Sequence, residues 1–180
     1  MRVITGSRRG RRLETLGGED ITRPTSQNVK EAIFSMIQFE IEGKRVLDLF
    51  AGSGQLGIEA LSRGATFCTF VENNKQAKAV VERNIEHCGL GDCAQVVLTD
   101  AISFTKRNAK YDLVFLDPPY HTDLIVRAMQ NLQQNVSDDG IIICETASDE
   151  ELPENFADFS VYRVKRHGKT KISVYRKGND

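Results

Sequence analysis

Asp117-Pro118-Pro119-Tyr120 are the residues whose types and order most directly imply chemistry. They follow the apolar run Leu113-Val114-Phe115-Leu116, so they stand where a buried strand ends and its backbone turns out of a sheet. A carboxylate, two prolines that stiffen the turn and an aromatic ring form a small rigid clamp. Such a clamp suits a flat, nitrogen-bearing ring: Asp117 accepts a hydrogen bond from an amino group while Tyr120 stacks on the ring face. An ordinary strand-ending turn with a Pro-Pro pair would read the same way if it stood alone.

It does not stand alone. Gly52-Ser53-Gly54-Gln55-Leu56-Gly57 is a G-x-G-x-x-G loop between an apolar strand and a helix. Glycine lets the backbone there approach a ligand closely. Glu72 lies twenty residues past Gly52, at the end of the next strand, placed to accept from ribose hydroxyls. Both features fit a nicotinamide enzyme as well as a nucleoside-binding methyltransferase. Asp48, just before the loop, favours a ligand with a cationic amino group over an anionic pyrophosphate. Asp100, in Thr99-Asp100-Ala101, is placed either to accept from an adenine amino group or to cap the following helix. Acids near the ends of four successive strands converge where an open α/β sheet holds its ligand.

The elements that position these residues alternate from residue 44 onward. Strands are expected over 45–50, 67–71, 95–98, 112–116 and 141–144. Helices are expected over 55–63, 74–88, 101–107 and 122–135, with Asp138-Asp139-Gly140 as a turn before the fifth strand. Continuous apolar strands with helical crossovers make a doubly wound, mostly parallel α/β sheet. Residues 160–164 and 171–175 lie too close for a crossover and form an antiparallel hairpin around His167-Gly168-Lys169. Residues 26–41 carry a helical stripe (Val29, Ile33, Met36, Ile37) with Ser26 as its cap, and the Gly- and Arg-rich start reads as a small β-ribbon.

The chain has 180 residues, 40% hydrophobic and 27% charged, as expected of one globular domain with a real core. No apolar run approaches the roughly eighteen residues of a membrane span, and the polar start is no secretory signal, so a cytoplasmic address is expected. Cys68 and Cys144 fall in strand-like runs and read as buried thiols; Cys88, Cys93 and His87 lack zinc spacing, so no metal is expected. Net charge is only −1, but it is unevenly spread. Residues 1–30 carry seven basic groups against three acidic ones, and residues 161–180 carry seven against one. If the fold brings these ends together they make one positive surface; otherwise they are solvated charge.

With these motifs in place, the sequence resembles the class I S-adenosylmethionine-dependent methyltransferases. The resemblance rests on Asp48 to Gly54, Glu72, Asp100 and Asp117 to Tyr120. More narrowly, Leu56 to Ala65, Arg23-Pro24-Thr25 with Val29 to Phe34, and the opening Ile4 to Arg11 are similar to the RsmD family. That family methylates the exocyclic N2 of one guanine in bacterial small-subunit (16S) ribosomal RNA. The resemblance covers nearly the whole chain and is weakest over residues 145–160. It implies a Rossmann-like, seven-stranded sheet over residues 26–180 with a β-ribbon appendage over 1–25. It implies S-adenosylmethionine as cofactor, with Asp48, Gly52, Ser53 and Gly54 around its methionine end, Glu72 and Asn73 at the ribose, and Asp100 and Ala101 at the adenine.

The same resemblance makes Asp117, Pro118 and Tyr120 the catalytic clamp and puts Arg23 and Thr25 at its rim. Arg8, Arg9, Arg11, Lys165, Arg166 and Lys169 are the candidates for RNA phosphates, and binding is then salt-sensitive. His121, beside the clamp, reads as a surface residue, since N-methylation releases its proton to water without a dedicated base. A monomer acting on 16S rRNA, within a partly assembled small ribosomal subunit, is the expected arrangement. A DNA amino-methyltransferase acting on adenine N6 or cytosine N4 shares the loop and clamp, but 180 residues leave little room for its target-recognition domain. A nicotinamide oxidoreductase leaves the clamp idle, and a non-catalytic RNA-binding protein leaves the four acids unexplained.

Overall fold

The computed structural model describes residues 1–16 and 27–178, so Arg23, Thr25 and the expected Ser26 cap lie outside the described residues. In chain order the elements are α1 (Gln27–Met36), β1 (Arg45–Asp48), α2 (Gln55–Ser62), β2 (Phe67–Glu72), α3 (Lys75–Cys88) and β3 (Ala94–Leu98). They continue with α4 (Ala101–Thr105), β4 (Tyr111–Leu116), α5 (Leu124–Leu132), β5 (Val136–Ala147), β6 (Asn155–Phe156), β7 (Phe159–His167) and β8 (Thr170–Lys177). The strands form one sheet in the order β3-β2-β1-β4-β5-β8-β7-β6. The first five are parallel and the last three antiparallel, which is the doubly wound architecture with a C-terminal hairpin. The sheet has eight strands where the resemblance implies seven; two-residue β6, too short to leave a periodic signal, is the addition.

Two apolar layers clamp the sheet. One face packs Val29, Ile33 and Phe34 of α1 and Ile58 of α2 against Phe115, Ile143 and Val174. The other packs Phe104 of α4 and Ile125 and Met129 of α5 against Val114, Ile142 and Tyr175. Cys68 and Cys144 are buried strand thiols, as expected. Local signals also set the helix ends: the Asn74 side chain caps α3 by accepting from the backbone of Gln76 and Ala77, and Gly89 closes it at φ 62°.

Asp138-Asp139-Gly140 lie inside β5 and not before it. Tyr111 pairs with Val136 and Leu113 with Ile141, so residues 137–140 bulge out opposite Asp112. The Ser137 hydroxyl holds the bulge by donating to the Tyr111 carbonyl and to Asp112.

The start of the chain is tied to the core by a buried ionic knot. Glu59 of α2 accepts from the backbone N–H groups of Ile4 (2.8 Å) and Thr5 (3.0 Å) and pairs with Lys30 (3.3 Å) and Arg63 (2.9 Å). Lys30 in turn donates to the Arg2 carbonyl at 2.7 Å. Val3 and Leu13 insert into the apolar layer beneath.

Candidate active site

Because the parallel strands run in the order 3-2-1-4-5, the sheet order reverses between β1 and β4, and a cleft opens there beyond the strand ends. It has a volume of about 1140 Å³, and Asp48, Glu72, Asp100 and Asp117 all line it. The four acids singled out from the sequence are therefore brought together. A fifth joins them: Glu145, near the end of β5, buried to 4% exposure and also on the cleft wall. Sequence reasoning ended that strand at Cys144 and missed it. The signal was there, because Glu145 repeats the pattern of an acid near a strand end.

Each acid has a distinct environment. Asp48 is fully enclosed; its Oδ2 accepts from the Gly57 N–H at 3.0 Å, and its Oδ1 has no hydrogen-bond partner among the described residues. Burial, reinforced by the charge of Glu72, raises its pKa to about 7 despite the Gly57 bond. Glu72 braces the glycine loop, one oxygen accepting from the Gly52 N–H (2.9 Å) and the other from the Asn74 N–H (2.9 Å). Each oxygen keeps a second lone pair for a ligand hydroxyl. Asp100 caps α4 by accepting from the Ser103 N–H at 2.9 Å; the Ser103 hydroxyl and then this N–H hold its carboxyl below the usual range. The helix-cap reading of Asp100 thus holds, while its place on the cleft wall leaves the ligand reading open.

In the loop itself, Gly52 (φ 56°) and Gly54 (φ 77°) take left-handed conformations. A Cβ at Gly52 would meet nothing within 4 Å, so the backbone there faces open space. Ser53, Asn73 and Ala101 line the same wall. Asn84 of α3, not anticipated from the sequence, ties this loop to the N-terminal segment: its amide donates to the carbonyls of Ser53 (2.9 Å) and Glu14 (3.0 Å). Thr15 and Leu16 consequently border the cleft as well.

At the clamp, Pro118 is buried, Asp117 is half-buried and Pro119 is exposed. The Tyr120 hydroxyl donates to Glu145 at 2.8 Å and sits 2.8 Å from the Thr170 hydroxyl, which fixes the ring across the tops of β5 and β8. Burial, with the Glu145 and Asp117 carboxylates nearby, pushes this phenol well above its ordinary range and keeps it a donor. His121 is exposed at φ 58°, its backbone N–H donating to Glu150 at 2.9 Å.

The basic residues divide between opposite ends of the sheet. The hairpin turn Gly168-Lys169 joins β7 to β8 opposite the end of β5, and His167 and Lys169 line the cleft. Arg8 and Arg11 instead donate to the carbonyls of Gly89 (3.2 Å) and His87 (3.1 Å) at the far end of α3. There they meet the helix C-terminus, where cations are favoured. Arg9 is exposed beside them, and Arg166 faces Glu151 at 3.9 Å. The two basic clusters therefore do not merge at the cleft.

Residues 1–176 match the family model described as conserved hypothetical protein 95, the RsmD family. The chain belongs to this family. Among its relatives, ribosomal RNA small subunit methyltransferase D of Haemophilus influenzae is 38% identical, over 87% of this chain and 84% of that protein. The protein of the same name from Escherichia coli K12 is 32% identical over 98% and 90%. A solved conserved hypothetical protein of Streptococcus pyogenes is 37% identical, covers 83% of this chain and 96% of its own, and superposes with a TM-score of 0.79. Among the described residues no helix is long and apolar enough to cross a membrane, and no three His, Cys, Asp or Glu side chains cluster as metal ligands.

Proposed function

We propose that this chain transfers the methyl group of S-adenosylmethionine to the exocyclic N2 amine of a guanine in small-subunit ribosomal RNA. The observation that carries the reading is the position of the Asp117–Tyr120 clamp. It faces the same cleft as the glycine loop and the acids of β1, β2 and β3, in a chain whose relatives are named for methylating this RNA.

The residues of the cleft fit the cofactor. Asp48 Oδ1, buried and without a hydrogen-bond partner among the described residues, suits the ammonium of the methionine end, and the open backbone at Gly52 leaves room for it beside Ser53 and Gly54. Glu72 and Asn73 would hold the ribose, and Asp100 and Ala101 the adenine. When bound, S-adenosylmethionine supplies an electrophilic methyl group on a sulfonium.

The chain's own contribution is to make a poor nucleophile attack. The guanine amine is weakly nucleophilic because its lone pair feeds the ring. Asp117 and the Pro118 carbonyl, accepting its two hydrogens, draw the nitrogen toward a tetrahedral geometry. The Asp117 carboxylate also stabilises the positive charge that grows on nitrogen, an effect worth about 3–4 kcal/mol for comparable groups. As the nitrogen lone pair forms the new N–C bond the S–C bond breaks, and one amine proton then leaves to water. Tyr120, its ring fixed by Glu145 and Thr170, stacks on the base. The base must be unpaired or flipped to reach the clamp.

Transfer of labelled methyl from S-adenosylmethionine to naked 16S rRNA, to partly assembled small subunits and to duplex DNA tests the reading. Label in either RNA substrate is expected, with preference for the particle if assembled protein supplies specificity. Label confined to DNA would overturn the substrate assignment.

A further inference from the structure

The hairpin strand β7 departs from regular pairing at one place. Val161 lies opposite Tyr175 and Arg163 opposite Val174, so Tyr162 is an extra residue in the strand. A one-residue bulge turns every later side chain onto the other face of the sheet. Val161 points toward the α5 layer with Tyr175, whereas Arg163, Lys165 and His167 lie opposite Val174, Ile172 and Thr170. Ile172 is also the partner of Glu145, and Thr170 and Glu145 are the two residues that hold Tyr120. The bulge therefore aims a basic row along the face of the sheet that ends at the clamp.

From these placements we infer that the row formed by Arg163 and Lys165 of β7 and continued by Lys169 of the hairpin turn is the track for the RNA backbone that flanks the target base. The inference rests on the RNA reading given above. Beyond residue 161 the outer side of β7 is an open edge, since β6 pairs only with Phe159 and Ser160. Arg163, Lys165 and Lys169 are exposed and have no ion pair among the described residues. Arg163 lies over the Tyr162 ring at 5.6 Å, and that ring also carries Arg176, which is tied to Glu40. The bulged tyrosine thereby steadies the first cation of the row. The opposite face of the hairpin is neutralised: Arg166 of β7 and its cross-strand partner Lys171 of β8 both face Glu151. Strand rise sets Arg163 and Lys165 about 7 Å apart and carries the row about 17 Å from Arg163 to the turn at the cleft mouth. A polyanion is the complementary occupant, and a single strand leaving the clamp is the one whose path the row continues.

Charged side chains also guard sheet edges against pairing with other chains. In that role the face on which a cation stands is immaterial, and Arg166 counts as much as Arg163. The track makes the opposite prediction. The test measures affinity for a 20-nucleotide guanine-containing single-stranded RNA against salt, for wild type, Arg163→Gln/Lys165→Gln and Arg166→Gln. S-adenosylhomocysteine binding is measured alongside as a check on the cleft.

The double variant is expected to lose about tenfold in RNA affinity at physiological salt. The slope of log affinity against log salt should fall by about 1.4, or 0.7 for each phosphate that the protein no longer neutralises. Arg166, a phosphate candidate by sequence, is set by the bulge on the other face beside Glu151, so Arg166→Gln should leave the slope unchanged, and all three proteins should bind S-adenosylhomocysteine alike. An unchanged slope in the double variant, or an equal fall in Arg166→Gln, would overturn the track while leaving the methyltransferase reading intact. Equal affinity for duplex DNA with the same slope change would overturn single-stranded RNA as the occupant.

Discussion

Replacing Asp48 by Asn should make the empty protein more stable and the enzyme worse. Asp48 is enclosed by the fold, with a single bond from the Gly57 N–H to Oδ2 and a buried Oδ1 that has no hydrogen-bond partner among the described residues. Burial lifts its pKa from 3.8 to about 7, so the folded protein binds this proton more tightly than the unfolded chain does. Stability from this group is complete below pH 4, declines as pH rises from 4 to 7, and stays lost above that. At ~1.4 kcal/mol per pH unit the shift corresponds to a penalty on the order of 4 kcal/mol at pH 8.

Asparagine can still accept from Gly57 and carries no charge, but its amide hydrogens are then buried without an acceptor, at a cost of about 1–3 kcal/mol. The expected net gain is about 1–3 kcal/mol at pH 8, a Tm rise of roughly 3–9 °C for a domain of this size. At pH 4 the gain vanishes and the variant is the less stable protein. Thermal unfolding of both proteins from pH 4 to pH 8 checks the crossing, and calorimetry with S-adenosylhomocysteine checks the weakened binding. Parallel stability curves across that range would refute the buried, unpaired carboxylate.

Asp117→Ala should lower methyl transfer by about 10²–10³ while S-adenosylhomocysteine binding persists, read by single-turnover kinetics beside calorimetry. Tyr120→Ala should raise KM for RNA by the loss of about 1–3 kcal/mol of stacking, whereas Tyr120→Phe keeps the ring and should affect KM far less. Glu59→Gln leaves Lys30 buried without its countercharge and should cost about 3–5 kcal/mol in urea unfolding, with faster hydrogen exchange at Ile4 and Thr5. Burial already holds the Lys30 pKa below its ordinary value, so raising pH above neutrality should ease part of that loss.

Local signals carried most of the fold. Apolar runs marked the five parallel strands, Asn74 and Gly89 bounded α3, and the glycine loop with Glu72 marked the end of the sheet where the cleft lies. What escaped depends on partners far along the chain. Glu145 became visible only when β5 proved longer than its apolar run, and its meaning came from Tyr120, twenty-five positions earlier. The Asp138–Gly140 stretch has turn composition, yet pairing on both sides keeps it within a strand as a bulge. Arg8 and Arg11 read as candidates for RNA phosphates because nothing local reveals that the end of α3 lies beneath them. Lys165 and Arg166 read from the sequence as one cluster but stand on opposite faces of β7, and a single bulged residue decides which side each takes.

The most direct measurement is the identity of the methylated nucleoside. Partly assembled small subunits lacking the modification would be incubated with S-adenosylmethionine and either wild type or Asp117→Ala, and the RNA digested and resolved by mass spectrometry. The proposed mechanism predicts one N2-methylguanosine per particle with wild type and none with the variant. A methyl group on another atom or base, or undiminished product from Asp117→Ala, would contradict it.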